Sequence, residues 1–184
     1  MLSDNEKREM LSLVRRNIEQ YLDTGRIVKL ELKGKYLEKN GVFVTLKKHG
    51  ELRGCIGFPE PHLPLGHALL DSSVSAATRD PRFPPVRKEE LRELNIEITI
   101  LTPPQVIDCK PPDLPRHIVV GRHGLIVERG GKKGLLLPQV PVEWGWDVEE
   151  FLSQTCWKAG LPPDAWLDEK TRVYKFEGEV FGEE

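Results

Sequence analysis

Residues 41–57, Gly41-Val42-Phe43-Val44-Thr45-Leu46-Lys47-Lys48-His49-Gly50-Glu51-Leu52-Arg53-Gly54-Cys55-Ile56-Gly57, alternate apolar and polar side chains on either side of a His-Gly pair. That is the pattern of a β-hairpin with one buried face. The length of its loop decides which side chains share a face. A two-residue loop, His49-Gly50, would set Arg53 beside Val42, Val44 and Leu46. A three-residue loop, Lys48-His49-Gly50 with Gly50 left-handed, groups Val44, Leu46, Leu52 and Ile56 on one face. Phe43, Thr45, Arg53 and Cys55 then occupy the other, and this second register is the one expected.

Upstream of the hairpin, residues 4–23 place Met10, Leu11, Val14, Ile18 and Leu22 at spacings of three and four, an amphipathic helix that Gly25 can stop. Downstream, Leu65 to Ala77 carries Leu65, Ala68, Leu69, Ser72, Ala76 and Ala77 along one helical face, small enough for a sheet to approach closely, and Asp80-Pro81 ends it. Lys88 to Glu93 reads as a short helix. Leu94, Ile96, Ile98 and Ile100 alternate with polar residues as a half-buried strand. Five Pro between 103 and 115 make a stiff, extended connector, the expected subdomain seam within one domain spanning 1–184. Beyond it, 118–120, 125–127 and 135–137 read as short strands, with Gly130 to Gly134 as a turn. Asp147 caps a helix that buries Val148, Phe151, Leu152, Thr155, Cys156 and Ala159 and stops at Gly160, and Val173 to Phe181 reads as a last strand. Helices and strands mix without regular alternation, so the expected class is α+β, a largely antiparallel sheet flanked by helices.

The 184 residues carry 27 Lys and Arg against 29 Asp and Glu, a formal net charge of −2. A dedicated nucleic-acid binder carries a clear cationic excess, so this balance speaks against nucleic acid as a partner. No run reaches the roughly 18 apolar residues of a membrane span. Leu2 to Met10 alternates with charges, unlike a signal peptide. Cys55, Cys109 and Cys156 are odd in number and far apart, which points to reduced thiols in a cytoplasmic protein rather than a disulfide framework. The scarcity of amides, four Asn and four Gln, resembles thermophile composition.

Cys55 is the residue whose setting invites chemistry. Arg53, two residues away on the expected face, would favour its thiolate, and exposed amides around Gly54 and Gly57 could cradle an anion. The competing reading makes Cys55 a small buried hydrophobe, with the glycines leaving room for the Ala76-Ala77 helix. A nucleophile also needs a base: His123, on the Gly121-Arg122-His123-Gly124 turn, and Glu97 are the candidates, while His49 points to solvent. Arg79 and Arg82, with Arg87 and Lys88, surround a rigid Asp80-Pro81-Arg82-Phe83-Pro84-Pro85 loop that could hold a phosphate or carboxylate. Cys55, His62 and His67 lack the spacing of a metal site, and Gly130 to Gly134 lacks that of a P-loop. No metal or cofactor is expected.

Leu52-Arg53-Gly54-Cys55-Ile56-Gly57 resembles the signature of the AMMECR domain family. The resemblance extends to Asp80-Pro81-Arg82-Phe83, Glu90 to Leu101, His123-Gly124-Leu125, Gly134 to Val140, Trp146-Asp147, Phe151-Leu152, Cys156 to Leu161 and Trp166. It implies a two-part α+β fold with the signature Cys near a cleft between the parts. Gln139 thereby joins Gly54, Gly57, Arg79 and Arg82 as an expected ligand-binding residue. The family has no established reaction. Some relatives are similar to domains fused to, or encoded beside, a radical S-adenosylmethionine enzyme and a Memo-like domain, which implies partners of those kinds. Two functions follow. In the first, a binding module presents these groups to a small anionic ligand or a partner protein. In the second, Cys55 is the nucleophile of an enzyme acting on an acyl group or a modified peptide or nucleotide, with Arg53, His123 and Glu97 assisting. The sequence contains no complete triad, which favours the first.

Overall fold

The computed structural model describes residues 2–183, which divide into two compact units: the chain up to Leu101 together with the residues from Glu179 onward, and Thr102–Gly178. Each has its own antiparallel sheet and its own core.

In the first unit, strands β1 (Val42–Lys48), β2 (Glu51–Phe58), β3 (Leu94–Leu101) and β8 (Gly178–Gly182) lie in the order β2-β1-β3-β8. Val42, Val44, Leu46, Ile96 and Ile98 point to one face and are buried. Helix α2 (Leu65–Thr78) covers that face against β1 and β2, and α1 (Asp4–Thr24) packs on α2 and β3. The stripe read from α1 is its buried side, and the helix starts at a Ser3–Glu6 capping box and ends at a left-handed Gly25. Buried Asn17 joins the two helices, donating to the Leu70 carbonyl at 2.9 Å and to Ser73 Oγ at 2.8 Å while accepting the Val28 N–H. All its polar atoms are thus satisfied without water.

The hairpin corrects the expected register. Its loop is His49-Gly50, both with positive φ (53° and 83°), the handedness that suits two twisted strands. Histidine tolerates this region better than most side chains. The parity that a two-residue loop would impose is reversed farther along by a bulge: Leu46 pairs with Gly54 and Lys47 with Leu52, leaving Arg53 as the extra residue. Cys55 therefore still lies opposite Thr45, and Ile56 opposite Val44, on the expected faces. Leu52 does not join Val44 and Leu46; it faces Lys47 and is 41% exposed.

In the second unit, β4 (Gln105–Val106), β5 (Gly124–Arg129), β6 (Lys132–Leu136) and β7 (Arg172–Phe176) lie in the order β4-β7-β5-β6. Helix α4 (Val148–Lys158) packs Phe151, Leu152 and Cys156 onto Leu125 and Val127, and Asp147 accepts the Glu150 N–H as its cap. A short helix α3 (Gln139–Trp144) precedes it, which sequence periodicity over six residues does not reveal. Residues 118–120 are not a strand. They leave a 3-10 turn, Pro111–His117, and enter the turn that carries His123. The expected last strand is two, because Glu177 exchanges backbone and side-chain hydrogen bonds with Thr102 and interrupts the ladder. β7 belongs to the second sheet and β8 to the first. The end of the chain is held by Glu183, whose carboxylate accepts Arg15 Nε at 2.6 Å and the Ile96 N–H at 2.9 Å, while Arg15 also donates to the carbonyls of Leu91 and Leu94.

Helix α2 approaches β2 at Gly54, where a Cβ would meet the Ala76 carbonyl oxygen at 2.1 Å. Backbone on both sides leaves nothing flexible to yield. Gly54→Ala should therefore destabilise the first unit by about 1–3 kcal/mol, seen as a lower midpoint in thermal unfolding by circular dichroism. An unchanged midpoint would mean that the helix shifts without cost.

Candidate functional site

β2 is an edge strand, so alternate backbone groups along it point away from β1 without a ladder partner. At Cys55 both are taken by the loop that follows α2. Asp80 Oδ2 accepts the Cys55 N–H at 2.9 Å, and Arg82 Nη2 donates to the Cys55 carbonyl at 3.3 Å. The two side chains also hold each other: Arg82 donates through Nε to Asp80 Oδ1 at 3.0 Å and through Nη2 to Oδ2 at 2.8 Å, and its backbone N–H closes an Asx turn on Oδ1. The Arg82 guanidinium holds the Asp80 carboxyl far below the usual carboxylate range, with the Cys55 and Arg82 amides assisting. Asp80 is buried and Arg82 exposed, so the clamp presents one cationic edge to solvent.

The thiol sits on the sheet face away from α2, opposite Thr45, whose Oγ1 donates to Sγ at 3.1 Å. Thr45 in turn lies opposite Glu97 on β3, so Cys55, Thr45 and Glu97 form a row across three strands. Glu97 does share the Cys55 face as expected, but its carboxylate is engaged by Lys47 Nζ at 2.8 Å. Burial pushes the Cys55 thiol up from its ordinary value; the Thr45 hydrogen bond and the Arg82 charge oppose this, and Asp80 and Glu97 add to it. The balance of these effects runs against the thiolate, opposite to the direction expected from Arg53.

Arg53 is not the group that acts on it. As the bulge residue it turns to Glu90, donating through Nε at 3.2 Å and Nη2 at 3.1 Å, and to the Pro84 and Pro85 carbonyls. Arg53 holds the Glu90 carboxyl down at about 2, with the Arg87 amide and Lys48 adding to this. His123 lies in the second unit, buried. Its Nδ1 accepts the Val119 N–H at 2.9 Å and its Nε2 is 3.5 Å from Glu177, and burial lowers its pKa below the ordinary imidazole value. Among the described residues neither a His nor a carboxylate hydrogen-bonds to Cys55 Sγ. Arg79 ends α2, exposed and 3.8 Å from Asp71, apart from the Arg82 clamp. Gln139 is exposed at the start of α3 in the second unit. Packing accounts for both motif glycines, since a Cβ on Gly57 would stand 2.0 Å from the Val42 carbonyl oxygen. The amide nearest the thiol, that of Cys55 itself, is already donated.

Sequence reasoning missed Asp80 and Thr45. Asp-Pro after a helix was read only as a stop, although an aspartate two residues before an arginine is also what a side-chain clamp needs. Thr45 was legible as sharing the Cys55 face, and its hydroxyl was the signal. The other cysteines are Cys156, fully buried with its thiol pushed up to about 11, and Cys109, raised by burial and by Asp113 and Asp108. Among the described residues no three His, Cys, Asp or Glu side chains are placed to share a metal ion.

The AMMECR1 family profile matches residues 11–181, which takes in both units. A protein of Thermococcus gammatolerans is 56% identical over 182 residues, covering 95% of this chain and 89% of its own. One of Methanothermobacter thermautotrophicus is 52% identical over 186 residues, covering 100% and 97%. The crystal structure of the uncharacterized protein PH0010 from Pyrococcus horikoshii superposes with a TM-score of 0.84 at 53% identity, covering 100% of this chain and 94% of that one.

Two outcomes follow from the geometry. In peptide mapping after iodoacetamide, Cys55 should react more slowly at pH 7 than a free reference thiol, with a profile displaced to higher pH. Arg82→Ala should displace it further and Arg53→Ala should leave it in place. Rapid reaction at neutral pH would show that the thiolate is stabilised after all. Separately, Glu90 has a folded pKa near 2 against an ordinary 4.5, so its contribution to stability is complete above pH 4.5 and is lost as pH falls toward 2. Thermal midpoints of the wild type should fall across that window, and Glu90→Gln should start lower and fall less.

Proposed function

The chain belongs to the AMMECR1 family, and from that premise we propose that it is a binding module, its two units working as one family domain, with its site at the Cys55, Thr45 and Glu97 row and the Asp80–Arg82 clamp. One observation carries this reading. Each charged side chain around the thiol already has a partner of opposite sign, Arg82 with Asp80, Lys47 with Glu97 and Arg53 with Glu90, and burial works against ionisation of the thiol. A free anion seeks an unpaired cation or a nest of open amides, whereas these cations are paired and the Cys55 amide is already donated to Asp80. A partner protein gains from covering polar groups that are already satisfied, because their burial leaves no orphaned donor or acceptor. A partner protein is therefore preferred to a small anionic ligand.

The resemblance makes a radical S-adenosylmethionine enzyme or a Memo-like protein the partner to try. Three unpaired cysteines support a cytoplasmic setting for the complex. The Thr45 hydrogen bond and the Arg82 charge both favour the thiolate and so the enzyme reading, but burial opposes them, and among the described residues neither a His nor a carboxylate hydrogen-bonds to the sulfur.

Purified radical S-adenosylmethionine and Memo-like proteins of the same genome are the probes. Either should slow the labelling of Cys55, and Thr45→Lys should abolish that protection without changing the circular dichroism spectrum. Cys55→Ser should still bind. Protection by inorganic phosphate alone would move the assignment to a small anion. A covalent adduct on Cys55 after incubation with an acyl thioester would move it to a nucleophilic enzyme.

A further inference from the structure

In the second unit, α3 turns apolar side chains to solvent. Val142 and Trp144 are 59% and 70% exposed. Trp144 stacks on Trp146, with ring centroids 6.1 Å apart and planes 16° from parallel. Val142 lies over the turn at Gly121, where a Cβ would stand 3.2 Å from its Cγ2, and Val119 beside that turn is 52% exposed. Single exposed apolar residues are ordinary, but a contiguous patch centred on stacked tryptophans marks an interaction surface.

Acidic side chains are in excess around it, and Arg122, the cation on the adjoining Gly121-Arg122-His123 turn, is already paired with Glu177. Residues 134–157 contain Glu143, Asp147, Glu149 and Glu150 and no Lys or Arg. Asp147 and Glu150 serve α4, the first as its cap and the second by accepting from Gln154. Among the described residues none of the four pairs with a cation. An anionic partner would be repelled here. A purely apolar one would bury these carboxylates without compensation.

The geometry points to a docking surface on Val142, Trp144 and Trp146 for an arginine-rich segment of a partner protein. A guanidinium is planar and weakly hydrated, so it stacks on an indole face while its edge pairs with a carboxylate such as Glu143. An ammonium keeps its hydration and does only the second. The surface is independent of the Cys55 site and stands or falls without it.

The test is fluorescence anisotropy of a labelled peptide of alternating arginine and glycine, titrated with the full chain at low and at high salt. Binding is expected at low salt, with weaker binding of the corresponding lysine peptide and none of a glutamate peptide. Trp144→Ala should weaken it about tenfold. Glu143→Gln combined with Glu149→Gln should weaken it and flatten its salt dependence. Trp157 is also 70% exposed but lies beside Lys158 on α4, so Trp157→Ala should bind as wild type does. All these side chains are exposed, and unchanged thermal midpoints confirm that the variants fold. The proposal is overturned if the wild type fails to bind the arginine peptide. Equal binding by Trp144→Ala, or equal weakening by Trp157→Ala, overturns it as well.

Discussion

The edge of β2 at Cys55 is the constraint around which the first unit is arranged. An edge strand presents unpaired N–H and C=O groups, and left open it recruits other strands. Here a carboxylate and a guanidinium from one short loop occupy those groups at Cys55. The clamp requires α2 to end where it does, so that Asp80 and Arg82 arrive at the height of Cys55. That in turn requires α2 to lie close to β2, which only a glycine at position 54 permits. The signature hexapeptide and the Asp80-Pro81-Arg82 segment are therefore two halves of one structural device.

The same device sets the chemistry of the thiol. Bringing Cys55 into a half-buried row opposes its ionisation, and the cations that could reverse this are already bound to acids. Cys55 is held in one place with its backbone saturated and its Sγ accepting from Thr45. A nucleophile gains from a base and from a lowered pKa; here burial acts against the second, and among the described residues neither a His nor a carboxylate hydrogen-bonds to the sulfur.

The second unit is organised by different means. Its sheet is short, and its core depends on α4 lying across β5 and β6 with Phe151, Leu152 and Cys156 buried. In the segment that joins that sheet to α4, Trp146 packs against the edge of the core while Trp144 stands in solvent, and the carboxylates serve the start of α4 or are exposed. The two units are tied through the chain itself: β7 and β8 are separated by one residue, yet each completes a different sheet.

Local periodicity was enough to read α1, β3 and α4, because each buries one face against its own unit and the spacing of Met10, Val14 and Ile18, or of Ile96, Ile98 and Ile100, records that burial directly; β6 begins earlier than its apolar run, at Lys132, inside the segment expected to be a turn. The signature and its companions were likewise enough to identify the family, and the alternation in residues 42–57 placed Thr45 and Cys55 on one face; that Glu97 joins them depended on β1 pairing with β3. Tertiary structure decided the rest. The bulge at Arg53 is invisible to alternation, since one extra residue cancels the parity error of a shorter loop and leaves the downstream pattern as it would otherwise be. The break at Glu177 is hidden because both strands beside it are half-buried with the same period. The partners of Arg53, Asp80, Arg82 and Glu97 depend on which distant segments arrive beside them, and a charge two residues away in the chain is no guide to the charge nearest in space. For that reason the sequence located the reactive-looking cysteine, while only the fold revealed that Arg53 belongs to Glu90 and that burial works against the thiolate.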